Sequence, residues 1–121
     1  MFIKTIKWVD KEAQEAEIIV SDGSIDILCF SCPFIRIIND ILVDPIYCLD
    51  VQNVVISNEE TNYVKKSNTY FGYLICGKLT DKKNKIVYLN DIKLSLEEAY
   101  IPPDIPENGF IEFNISRLNL Y

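Results

Sequence analysis

Ala16-Glu17-Ile18-Ile19-Val20-Ser21-Asp22-Gly23-Ser24-Ile25-Asp26-Ile27-Leu28-Cys29-Phe30 holds two apolar, largely β-branched runs on either side of Asp22-Gly23. β-Branched side chains suit the pleated surface of a strand better than the crowded wall of a helix. Asp-Gly suits a type I′ turn, whose two central residues both need positive φ. The stretch therefore predicts a β-hairpin. Its second strand sets Ile25, Ile27 and Cys29 on one face and Asp26, Leu28 and Phe30 on the other.

The same pattern continues outward. Residues 2–9 predict a strand, with Phe2, Lys4, Ile6 and Trp8 on one face and Ile3, Thr5, Lys7 and Val9 on the other. Residues 10–15 have helical propensity and an Asp cap, but they are too few to stand alone, so a turn or one helical turn is expected. Residues 33–42 fit two structures. Phe34, Ile37, Ile38 and Ile41 have helical spacing with Pro33 acceptable in the first turn, while the β-branched content favours a strand with a turn at Asn39-Asp40. Residues 46–56 predict one long or bent strand, and 57–68 a polar loop.

In the second half, residues 70–79 predict a strand in which Gly72 and Gly77 mark bends or close backbone approach. Asp81-Lys82-Lys83-Asn84 is a hairpin loop into residues 86–89, and Asn90-Asp91 turns into the alternating 92–96. Pro102, Pro103 and Pro106 exclude regular structure from 101–107, and Glu107-Asn108-Gly109 turns into a last strand at 110–115. About eight short strands at this spacing predict one all-β, mostly antiparallel domain over residues 1–121. A small barrel or sandwich with at most one short helix is expected.

The runs Gly72-Tyr73-Leu74-Ile75-Cys76-Gly77-Lys78-Leu79-Thr80-Asp81, Ile86-Val87-Tyr88-Leu89 and Asn90-Asp91-Ile92-Lys93-Leu94 resemble the opening strands of small OB-type barrels, which carry a glycine-kinked strand and a following hairpin. Pro106-Glu107-Asn108-Gly109-Phe110-Ile111-Glu112-Phe113 is similar to the turn and strand that close such barrels. The similarity covers less than half of the chain. It implies an OB-like binding module, and fold alone does not set what is bound.

Composition is that of an ordinary globular domain, 49% apolar and 25% charged, and long enough to bury a core without a metal or disulfide. The longest apolar stretch, 25–34, is interrupted by Asp26, Ser31 and Pro33 and falls short of the ~20 residues a membrane-spanning helix needs. The N-terminal residues lack the apolar core and cleavage site of a signal peptide, so a cytoplasmic location is expected. Cys29, Cys32, Cys48 and Cys76 are too scattered for a disulfide framework.

The net charge of −6 is uneven. Residues 1–60 carry −7, residues 62–93 carry +5, and residues 97–112 hold five acids and no base. An acidic chain is poorly suited to phosphate backbones, whose contacts supply most non-specific nucleic-acid affinity. Nucleic acid is therefore not the expected partner. The distribution suits a basic protein, which charge would steer to encounter.

The chain has no histidine, which removes Ser-His-Asp and Cys-His catalysis and the commonest general base. Cys29-Phe30-Ser31-Cys32 is a C-x-x-C, but an all-thiolate zinc site needs two such knuckles. Buried apolar thiols are the expected state. The pairs Glu59-Glu60 and Glu97-Glu98 are sequence neighbours, which on a strand face opposite ways and cannot flank one bond. With four glycines, a phosphate-cradling loop is not expected. No enzymatic activity, cofactor or metal follows from these residues.

Two binding sites are compatible with the sequence. Glu97, Glu98, Asp104 and Glu107 would steer a basic protein, with Tyr100 as an aromatic anchor. Small acidic proteins of this kind resemble bacterial immunity proteins in size and charge, and that resemblance implies a basic toxin as the partner. The alternative is an OB-type site for single-stranded nucleic acid or oligosaccharide, built from Lys65, Lys66, Tyr70, Tyr73 and Lys83.

Overall fold

The computed structural model describes residues 1–121 and contains eleven strands and no helix. They are β1 (Phe2–Asp10), β2 (Glu15–Ser21), β3 (Asp26–Ser31), β4 (Ile46–Leu49), β5 (Gln52–Ile56), β6 (Tyr63–Lys66), β7 (Tyr73–Asp81), β8 (Ile86–Leu89), β9 (Ile92–Ser95), β10 (Phe110–Ile115) and β11 (Arg117–Asn119). All belong to one mixed sheet in the order β1-β2-β3-β11-β4-β9-β8-β7-β10-β5, with β6 paired to β7. Pairing is antiparallel except for β11 with β3 and β4 with β9.

The expected barrel or sandwich of about eight strands is thus corrected to an open sheet of eleven, whose end strands β1 and β5 do not pair. The sheet curls instead. Four strands separate β3 from β7 in the order, yet the Tyr73 hydroxyl accepts a 2.9 Å hydrogen bond from the Leu28 amide. The turn after β2 likewise meets the turn after β8, where Asp22 accepts from the Asn90 side chain at 2.7 Å and the Asp91 amide at 3.1 Å. The concave face encloses one cluster of buried apolar side chains, including Ile3, Ile18, Ile27, Ile75, Leu94 and Phe113.

The hairpin forms as expected, but its turn differs. Ser21 pairs with Asp26, so residues 22–25 make a four-residue connection. Gly23 alone takes positive φ, at 95°. The reason is Asp22, whose carboxylate accepts the Ser24 and Ile25 amides at 2.9 and 2.8 Å and so stabilises a turn that a type I′ geometry would not allow.

β1 contains a bulge at Lys4. The register passes from Ile3 opposite Val20 to Thr5 opposite Ile19, which puts Ile3, Ile6 and Trp8 on one face. The regular alternation expected there is corrected accordingly. Lys4 turns outward to an ion pair with Asp26 at 2.6 Å.

Residues 33–42 are neither a helix nor a strand, apart from a single bridge between Ile41 and Phe2. Asn39 at φ 71° breaks any helix. Backbone bonds from Asn39 to Ile3, from Ile3 to Asp40 and from Leu42 to Met1 lay the segment along the start of β1 as a strap. Residues 10–15 close as a turn, with the Ala13 amide on the Asp10 carboxylate.

The expected single strand over 46–56 breaks at Asp50, whose φ is 51°, into β4 and β5, which pair with different neighbours. The expected polar loop contains β6, which shares one edge of β7 with β8. Gly77 sits at that junction. A Cβ there would lie 2.7 Å from the Tyr88 carbonyl oxygen, so the expected close approach is real.

Candidate functional site

β4 lies between β9 and β11, with Tyr47 opposite Ser95 on one side and Asn119 on the other. Two residues beyond each partner come Glu97 and Tyr121. The two extensions run opposite ways along β4, and Glu97 and Tyr121 line a cleft of about 430 Å³ together with Tyr47, Cys48, Leu49 and Glu98. The Tyr47 and Tyr121 rings meet edge to face, 5.2 Å between centroids. The Asn119 side-chain amide donates to the Tyr121 hydroxyl at 3.3 Å, and Arg117 Nε donates to Asn119 Oδ1 at 2.8 Å, so a short chain of bonds positions the outer ring. The Ser95 hydroxyl accepts the Glu97 amide at 3.3 Å and directs the chain out of β9.

Glu97 and Glu98 are exposed and have no cationic partner. The ion pairs of the structure lie elsewhere, Lys4 with Asp26 and Lys7 with Glu17. The nearby Lys85 ammonium donates to the Ala99 carbonyl instead. Two carboxylates in no ion pair, lining a cleft with two tyrosines, suit an ammonium or guanidinium group, which gains from charged hydrogen bonds and from the ring quadrupole together.

The other expected partner residues are spread along the loop that follows. Tyr100 is 75% exposed. Asp104 lines a separate shallow cleft with Val55 and Pro102. Glu107 accepts the Lys82 amide at 3.2 Å, and the Lys82 ammonium donates to the carbonyls of Pro103 and Ile105. The lysine hairpin therefore braces the acidic loop, through its backbone carbonyls and the Glu107 carboxylate rather than through an ion pair.

The lysine–aromatic set does not form one surface. Tyr73 is buried, and burial pushes its phenol up against the opposing hydrogen bond from Leu28. Lys66 lies over the Tyr73 ring and donates to the carbonyls of Gly72 and Thr69, so it clamps its own loop. Lys65 stands 5.0 Å over Tyr63. Tyr70 donates to Glu17 at 2.9 Å, a bond that raises its phenol pKa. Lys83 lies on the other hairpin, beside Pro45 and Glu97.

The cysteines are four free thiols. Cys29 and Cys48 are buried in the core, and desolvation pushes both well above the ordinary thiol range. Cys76 is covered on the convex face by Tyr63 and Glu112, which sit opposite it on the two neighbouring strands and hydrogen-bond to each other. Cys32 is exposed, so the C-x-x-C sends its two sulfurs to different environments.

Sequence reasoning missed Tyr47 and Tyr121. Tyr47 is an ordinary aromatic within β4 and Tyr121 lies just past β11, and only the non-local pairing of β4 with β9 and β11 brings them to the glutamates. The chain matches no protein-family model, no curated protein and no solved structure.

Proposed function

We propose that this domain is a non-catalytic binding module that takes a basic side chain of a protein partner, arginine or lysine, into the cleft between Tyr47, Tyr121, Glu97 and Glu98. The observation that carries this reading is the pair of exposed carboxylates, neither in an ion pair, that line one cleft with the edge-to-face tyrosines. The net charge of −6 adds long-range attraction for a basic protein. A basic toxin, neutralised as immunity proteins neutralise theirs, is the partner class that size and charge favour. Single-stranded nucleic acid on an OB-type surface has less support, because Tyr73 is buried and Lys66 is committed to its own loop.

The test is an NMR titration with the capped peptide Ac-Gly-Gly-Arg-Gly-Gly-NH2. The expected result is millimolar binding that shifts the Tyr47 and Tyr121 resonances. It should weaken about tenfold, 1.4 kcal/mol, in the double variant E97Q/E98Q. It should also weaken as salt rises to about 0.5 M, where exposed charges are screened within a few ångströms. Peptide shifts that persist unchanged in the double variant, or none at all, would sink the proposal.

A further inference from the structure

The exposed Tyr121 ring, 68% accessible, also forms a wall of a second groove, of about 510 Å³. Its other lining residues include Cys32, Pro33, Phe34, Ile35, Arg36 and Asp40. Phe34 is buried and packs edge to face on Trp8 at 5.7 Å, giving a firm floor. Ile35 is 78% exposed at its side. From there the strap runs on through Ile37, Ile38, Ile41 and Val43, all exposed. Single exposed aliphatics are normal, but five within residues 35–43 concentrate apolar surface on one strap, the kind of surface on which another molecule docks. The adjoining first cleft is acidic and unneutralised, so the two spaces differ in chemistry while sharing one tyrosyl wall.

We infer that one extended segment of the partner polypeptide lies across Tyr121, its basic side chain in the first cleft and a large apolar side chain against Phe34 and Ile35 in the second. The inference rests on the reading of the first cleft given above. Charge complementarity sets the direction: the cationic residue goes to Glu97 and Glu98, and the apolar residue goes to the groove whose exposed wall is aliphatic. The two spaces share Tyr121 as a wall, and a partner segment in the polyproline II conformation, with three residues per turn and about 3.1 Å rise, presents side chains three positions apart on one face, about 9 Å from each other. The recognised pattern is therefore a basic residue and an apolar residue three positions apart.

Cys32 makes the second groove observable without labelling. It is the exposed thiol, whereas Cys29, Cys48 and Cys76 are buried. The experiment compares two capped peptides, Ac-Gly-Arg-Ser-Gly-Leu-Gly-NH2 and the same peptide with glycine for leucine. Dissociation constants are read by NMR, and occupancy by the rate of Cys32 alkylation with iodoacetamide. The leucine peptide should bind at least tenfold tighter than its control and slow alkylation in proportion to occupancy. The substitution Ile35→Ser, neutral and at a site exposed enough to leave the fold intact, should abolish the gain. If the control binds but leucine adds nothing and Cys32 stays reactive, the inference fails while the first cleft stands. If neither peptide binds, both fail. A leucine gain that survives Ile35→Ser would place the apolar contact elsewhere and overturn the inference. Protection of Cys32 by self-association in the absence of peptide would assign the groove to a second copy and overturn it too.

Discussion

Asp22 does the most for its size. One carboxylate oxygen accepts the Ser24 and Ile25 amides of its own turn, and the other accepts from Asn90 and Asp91 of a turn 68 and 69 residues away. Partial burial pushes the carboxyl up, but these four bonds outweigh it and hold the pKa below its ordinary value. A depressed pKa stabilises the fold above the unfolded value of about 4, and that contribution is lost as pH falls through the folded value. The substitution Asp22→Asn keeps one acceptor oxygen and removes the charge. Urea unfolding at pH 7 should show the variant about 1–2 kcal/mol less stable. The gap should begin to narrow below about pH 4, where the unfolded chain's carboxyl takes up a proton, and close as pH falls through the lower folded value. A gap independent of pH would mean that shape rather than charge matters there. Asp-Gly in the sequence announces this turn, but the partner Asn90-Asp91 is legible only as another turn, because nothing local says the two tips meet.

Among the elements, the loop after β9 shows how charge is used. Residues 101–107 carry three prolines and make few backbone bonds of their own, the amide of Ile105 bonding only as far as Pro102. Lys82 holds this loop through the Pro103 and Ile105 carbonyls, and Lys85 holds its start through Ala99. Substituting Lys82→Ala should leave the sheet intact and loosen the loop. Amide hydrogen exchange of Ile105 should accelerate about tenfold, while the Ile75 and Phe113 amides stay protected. Equal acceleration in all three would mean that Lys82 supports the whole fold. The acidic block at 97–112 and the lysines at 82–85 are both visible in the sequence. Their opposition is not, since it depends on how the hairpin of β7 and β8 lies against the loop.

At the scale of the molecule, an open sheet becomes a closed core by curling, with Tyr73 reaching from β7 to β3. Curling encloses Cys29 and Cys48 in the core, cross-strand neighbours cover Cys76 on the convex face, and Cys32 is left out. Titration with an excess of a thiol reagent under native conditions should modify one thiol rapidly. In denaturant it should modify all four. Two or more fast thiols in the native protein would contradict the covered position of Cys76 beneath Tyr63 and Glu112. Curling also places the acidic cleft and the apolar strap on either side of one exposed ring, and binding should be sought across that ring.

The residues by themselves determined the class of fold, the central hairpin and the positions of most strands. Alternation of apolar and polar side chains is a local property, and turns need particular residue types at particular places. The absence of a histidine bounded the chemistry in the same local way. Tertiary structure decided that the sheet has eleven strands and stays open, that residues 33–42 form a strap, and that Tyr47 and Tyr121 stand beside Glu97 and Glu98. The physical reason is that parallel pairings such as β4 with β9 and long-range contacts such as Tyr73 with Leu28 are chosen by the packing of the whole core. Residues far apart in sequence settle them together, and no local pattern carries that information.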